Sequence, residues 1–315
     1  MGSNRLGDTR GQASPEWLGV VLLVSLVFAG MVAAGVGVPG AGLARTLAGK
    51  LVCVLDLGSA CGERESALIT AYGSEVGDLV ADHVPLLEYE EGMRVLPIDW
   101  RTCRENSCAE GAASGRVIKT SSGEPITLFS HVIDCRDPDH PEPSAADCEG
   151  DAAGNLYLQY WAYYPDSRTA PYDGKLFKEI GFHPDDWESF QVRITPDGVD
   201  ERASSHHGYN GDISDPVNDT GWLPGESAWA PATGRYAISA GSHAGKVGTP
   251  PADKNIRRPS SVERLPHRLS RPKDVHVIPL ETMRDEWDAY VGSTKHLPAW
   301  LKDVYLNPEE TGTSG

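Results

Sequence analysis

Two strand-like runs, Leu156 to Tyr164 and Trp187 to Ile194, set the tightest limit on what this chain can fold into. They flank a loop rich in Pro, Gly and Asp, so the polar residues His183, Asp186 and Glu188, with Trp187 among them, sit where a sheet ends. By the two-residue period of a strand, Glu188, Phe190, Val192 and Ile194 share one face. Asp186 joins that face if the strand begins one step earlier. Carboxylates at the mouth of an apolar face are costly unless a cation, a metal or hydrogen-bond donors meet them. His183 can supply a nitrogen ligand to the same site.

The aromatic residues Tyr157, Tyr160, Trp161, Tyr163 and Tyr164 alternate across two faces and read as core packing. After a turn at Asp197-Gly198 comes a second polar cluster, Arg202-Ala-Ser-Ser-His206-His207-Gly-Tyr. A third, Gly241-Ser242-His243-Ala244, follows the strand-like Arg235 to Ala240. Taken singly, each His reads as a hydrogen-bonded structural imidazole. Their recurrence at strand ends makes Asp185, His206, His207, Ser242 and His243 candidates for one pocket. Ser242 lies in Ala-Gly-Ser-His-Ala-Gly, which is not the Gly-x-Ser-x-Gly elbow of a serine hydrolase.

The ordered series YWAYYPDS, HPDDWE, SSHHGYNG and AGSHAG resembles the vacuolar protein sorting-associated protein 62 family. More distantly it is similar to the necrosis-inducing cytolysins of plant pathogens, over roughly Val84 to Tyr305. The resemblance implies a β-sandwich. It also implies a divalent cation held by His183, Asp186 and Glu188 with Asp166 of YYPDS upstream, and recognition of a glycan or lipid head group. Oxygen-rich ligation favours Mg, Ca or Mn over Zn. The sequence departs from the cytolysin heptad by one extra residue after Gly181, and Asp185 stands where the heptad has its second His.

Ahead of this body, Trp17 to Val38 is free of charge and almost wholly apolar, long enough as a helix to cross a bilayer core of about 30 Å. The surrounding RGQASPEWLGVVLLV resembles the leader and first helix of Tad-type pseudopilins. That implies cleavage after Gly11, with Glu16 pairing with a neighbouring subunit in the membrane. An uncleaved signal anchor is the other reading. The expected organisation is a leader over 1–11, a transmembrane helix over 12–38, a linker and helical neck over 39–83, a sandwich over 84–305 and a disordered tail over 306–315.

In the neck, Leu68, Ile69, Tyr72, Val76, Leu79 and Val80 have helical spacing. All six cysteines lie between the membrane segment and the motif-bearing half, with no Cys-x-x-Cys pair. An even number beyond a membrane span points to disulfides in an oxidising space. Nearest-neighbour pairing would join Cys53 to Cys61, Cys103 to Cys108 and Cys135 to Cys148. This places the N-terminus in the cytoplasm and the C-terminal body outside the cell. Acids between Asp134 and Asp151 lack the spacing of an EF-hand and read as a solvated loop.

A net charge of −17 argues against a nucleic-acid partner. Thirty-four Gly and 23 Pro fit short strands joined by turns, an all-β dominated class with a few short helices. The expected function is a single-pass membrane protein whose extracellular sandwich binds a glycan or lipid head group. The rivals are a metal-dependent hydrolase and an accessory pseudopilin of a pilus or secretion system.

Overall fold

The computed structural model describes residues 59–111, 115–167, 182–205, 208–210, 229–248, 268–290 and 296–311, with backbone alone over 59–66. The leader, Gly11, Glu16, the apolar segment, Cys53, the Cys61 side chain, His206 and His207 lie outside them. No helix among the described residues is long and apolar enough to cross a membrane.

The chain is mostly β, in two sheets. Helix α1 (Ser59–Asp82) comes first, broken at Gly73, whose φ of 76° and ψ of 167° leave the helical region. Leu68 and Val80 on its inner side are fully buried, as their spacing requires. Strand β1 (Leu86–Tyr89) and the short helix α2 (Asn106–Ala109) follow, then β2 (Gly115–Arg116) and β3 (Thr127–Asp134). The long strands β4 (Leu156–Ser167) and β5 (His183–Thr195) form the organising pair. After them run β6 (Gly198–Ser205), β7 (Gly208–Tyr209), β8 (Ala230–Pro231), β9 (Arg235–Ile238) and β10 (Gly245–Val247). The described chain closes with β11 (Arg268–Ser270), β12 (His276–Pro279) and helix α3 (Arg284–Trp287).

One sheet has the order β10-β9-β1-β11-β2; the other runs β12-β3-β4-β5-β6-β7, with β8 beside β6. A single apolar core joins them, with Leu87 and Ile238 from the first sheet and Phe190 and Val192 from the second. Phe190 meets Tyr236 across it at 5.3 Å between ring centres. This is the sandwich expected of so many short strands, and β4 is its middle: every one of its 12 residues is buried. Both organising strands are longer than their apolar runs. β5 starts at His183, four residues before Trp187, and pairs through Pro184↔Asp166 and His183↔Ser167. Pro184 is tolerated because β6 pairs with β5 only from Phe190 onward, so among the described residues the outer edge at Pro184 carries no ladder.

Two disulfides follow the nearest-neighbour pairing, Cys103–Cys108 and Cys135–Cys148. The second sits in a small apolar cluster with Ile133, Ala152 and Tyr157 and closes a loop over a sequence separation of 13. Replacing Cys135 and Cys148 together by Ala should cost about 3 kcal/mol, the loop-closure entropy returned to the unfolded chain. Urea denaturation of the variant beside the oxidised wild type checks this; equal midpoints would deny the staple any role.

The expected disordered tail is ordered as far as residue 311. Leu306 O accepts from Asp147 N at 2.8 Å, and Pro308 O accepts from Arg202 Nη2 at 2.5 Å. The Glu309 carboxylate accepts from Tyr157 Oη at 2.6 Å, Trp229 Nε1 at 2.8 Å and Arg193 Nη1 at 3.1 Å. Composition missed this because the donors come from β4, β5, β6 and Trp229, far away in the chain.

Candidate functional site

Antiparallel pairing puts Asp186 opposite Tyr164 and Glu188 opposite Ala162, near the start of β5. The period of two then divides the site. Asp186 and Glu188 lie on the side of Phe190, toward the other sheet, while Asp185 and Trp187 lie on the reverse. Both acids are more than nine-tenths buried.

On the inner side, His243 comes from the turn between β9 and β10. Its Nδ1 lies 2.8 Å from Asp186 Oδ2, and its ring stacks on Tyr164 with centres 3.9 Å apart. Burial drives the His243 pKa down to about 4, so the imidazole is neutral and shares a single hydrogen with Asp186 Oδ2. The contact is therefore a hydrogen bond rather than an ion pair, because desolvation outweighs the attraction for both partners. Glu188 accepts from Ser204 Oγ, and the same oxygen accepts from Ser189 N at 2.7 Å. Burial pushes Asp186 up to about 7; His183, Lys302 and Ser167 pull it back, and Asp166 adds to the rise. Glu188 is pushed up to about 8 by burial and by Asp186, against Lys302 and Ser204.

Lys302 supplies the positive charge. Its Nζ donates at 3.0 Å to Trp187 O, the carbonyl between the two acids, and stands 6.0 Å from the centre of the Trp161 ring. The residue keeps some exposed surface, yet its ammonium is enclosed deeply enough for burial to lower its pKa against the pull of Glu188 and Asp186. The Tyr164 hydroxyl, fully buried, has no hydrogen-bond partner among the described residues.

On the reverse side, Asp185 Oδ1 accepts from Arg104 Nη2 at 2.5 Å and Tyr163 Oη at 2.8 Å. Arg104 also lies over the Tyr290 ring, 4.7 Å from its centre, and Trp187 Nε1 donates to Tyr290 Oη at 3.0 Å. Trp300 packs against Trp187 at 5.7 Å and stacks on Trp287 at 5.0 Å, completing a half-buried aromatic shelf. Asp185 and His243 both have left-handed backbone, φ 58° and 57°. Such residues cost of order 1–3 kcal/mol each and persist where surrounding contacts hold them.

The residues read from the sequence separate accordingly. Asp186, Glu188 and His243 come together. Asp185 turns away from them to Arg104, since adjacent strand residues point to opposite faces. Asp166 Oδ2 accepts from Asn106 Nδ2 at 2.5 Å. His183 stacks on His296 at 3.5 Å between ring centres, with Nδ1 3.3 Å from its own Pro184 O. Ser242 Oγ bonds Ser239 Oγ at 2.9 Å and lacks a hydrogen bond to His243 among those described, so no nucleophile–base pair forms there. Among the described residues no three His, Cys, Asp or Glu side chains are placed to hold a metal. As placed, His183, Asp186, Glu188 and Asp166 do not make the coordination sphere that the resemblance implies. Lys302, Arg104 and Asn106 were missed, each one polar residue in an unremarkable context; Ser204 lies within the second polar cluster but was not singled out there.

No protein-family model matches the chain, and no curated protein matches it. Among solved structures it is similar to NLPPya in complex with glucosamine, at 13% identity and a TM-score of 0.35, over 73% of this chain and 86% of that one. It is likewise similar to NLPPya in complex with mannosamine, at 14% identity, a TM-score of 0.35 and the same coverage.

Proposed function

We propose that the protein is a binding protein of the outer membrane face, anchored by its apolar segment, and that the acid-bearing end of β4 and β5 recognises a hydroxyl-rich head group of a glycan or glycolipid. What carries the reading is the concentration of cost at one sheet end. Two buried carboxylates, a buried ammonium and a Tyr164 hydroxyl without a partner among the described residues gather there beside two left-handed non-glycine residues. Packing alone would favour apolar residues in such a place. Carboxylates and tyrosine hydroxyls accept from and donate to sugar hydroxyls, and half-buried indoles of the shelf offer faces for a pyranose ring. The disulfides support a place outside the cytoplasm.

Saturation-transfer NMR with methyl hexosides and hexosaminides tests this. Wild-type protein should transfer saturation to at least one class at millimolar concentration, and Asp186→Asn should weaken that binding by about tenfold or more, one lost charged hydrogen bond. Absence of transfer to every glycoside, or equal binding by a folded Asp186→Asn variant, would remove the proposal. N-terminal sequencing addresses the anchor: a mature chain starting at Gln12 is the outcome specific to pseudopilin processing.

A further inference from the structure

We infer that the Lys302 ammonium is the resident cation of the Asp186–Glu188 cluster, occupying the electrostatic role that the family resemblance gives to a divalent metal, so that this chain's site is built to work without one. The inference stands apart from the identity of any ligand, since its readouts are stability and metal content.

Three observations carry it. The first is position. Among the described residues the outer edge of β5 has no strand neighbour from His183 to Ser189, and Lys302 reaches that edge to bond Trp187 O, the peptide carbonyl between the two acids. The ammonium is therefore fixed between their attachment points by a hydrogen bond of its own.

The second is the state of the donors. Asp186 faces the His243 imidazole, Glu188 the Ser204 hydroxyl and Asp166 the Asn106 amide. A hard divalent ion needs six or more oxygens converging on one point. Here the carboxylates diverge to partners on separate elements, the turn after β9, the end of β6 and helix α2, and no three potential ligands converge among the described residues.

The third is charge. The ionisable groups facing the cluster are His183 on β5, Asp166 on β4, His243 beyond β9 and Lys302 from the C-terminal segment. The Lys302 ammonium, bonded to the carbonyl between Asp186 and Glu188, brings positive charge to both. A doubly charged ion beside that ammonium would meet repulsion in a low-dielectric surrounding.

The test uses full-length protein purified without chelator. Metal content by elemental analysis is expected below about 0.1 equivalent, and the melting temperature should move by less than about 1 °C between EDTA and millimolar Ca, Mg or Mn. Lys302→Met removes the cation and leaves the acids, so this variant should melt lower by about 5 °C, and since the carboxylates still diverge no divalent ion should restore it. Lys302→Met with Glu188→Gln should recover stability relative to the single variant; if the single variant does not fold, recovery in the double variant decides. One equivalent of metal in the wild type, stabilisation of the wild type by a divalent ion, a Lys302→Met variant that melts with the wild type or is restored by a divalent ion, or a double variant no more stable than the single would each overturn the inference.

Discussion

Arg202→Met should destabilise the fold by about 3–5 kcal/mol, the scale for losing two buried hydrogen bonds from a charged donor at about 1.5–3 kcal/mol each. Arg202 has no exposed surface. Its Nε donates to Gln191 Oε1 at 3.0 Å, its Nη2 to Pro308 O, and its guanidinium lies over Tyr209 at 3.8 Å and Trp229 at 4.4 Å. Methionine fills part of the volume but leaves the Gln191 and Pro308 oxygens without their donor, and that desolvation cost dominates. The loss should be uneven. Hydrogen exchange in residues 306–311 should accelerate more than in β4, because Arg202 ties that segment to the sheet. A variant within 1 kcal/mol of wild type, or one that loosens uniformly, would show that the guanidinium is replaceable filler.

The second large effect is on pH. Asp186 and Glu188 titrate in the folded protein at about 7 and about 8, above the carboxylate values near 4 of an unfolded chain. The folded state thus holds protons that the unfolded state releases, so stability falls as pH rises between these limits, the reverse of an ordinary salt-bridged acid. The contribution is fully present below about pH 4 and is lost by about pH 8. One carboxyl shifted this far is worth on the order of 4 kcal/mol, less where Lys302 compensates it. His243 works oppositely: with its pKa down at about 4, its cost appears as pH drops below about 6.5. Two acids outweigh one imidazole, so stability should fall throughout from about pH 5 to pH 9, more gently below about pH 6.5 where His243 offsets part of the loss, and Glu188→Gln should flatten the descent. Urea midpoints from pH 5 to pH 9 measure it; a wild type equally stable at both ends would contradict the assignment.

How far the sequence could be read depends on the range of the interactions. The β4–β5 pair was legible because alternation is local: Glu188, Phe190 and Val192 do share a face, and Asp186 does join them once the strand starts early. His243 was legible as one of several His at strand ends, and its pairing with Asp186 required the fold. The separation of Asp185 from Asp186 follows from the same alternation, yet HPDDWE invites reading them as one cluster. Lys302, more than a hundred residues beyond Glu188 and within the range read as sandwich, is a lone lysine that looks solvated until the sheet edge it reaches is known. The tail was misread for the same reason, since Glu309 owes its order to Tyr157, Arg193 and Trp229.

The small ring closed by Cys103 and Cys108 carries within it both Arg104, the partner of Asp185, and Asn106, the partner of Asp166. Two of the acids around the strand end are thus answered from a loop whose shape depends on thiol oxidation. A chain held in a reducing compartment would keep its sheets and leave this loop slack, with the guanidinium and the amide free to wander. Completion of the strand-end cluster would then coincide with arrival in an oxidising milieu, a timing device that needs no additional factor.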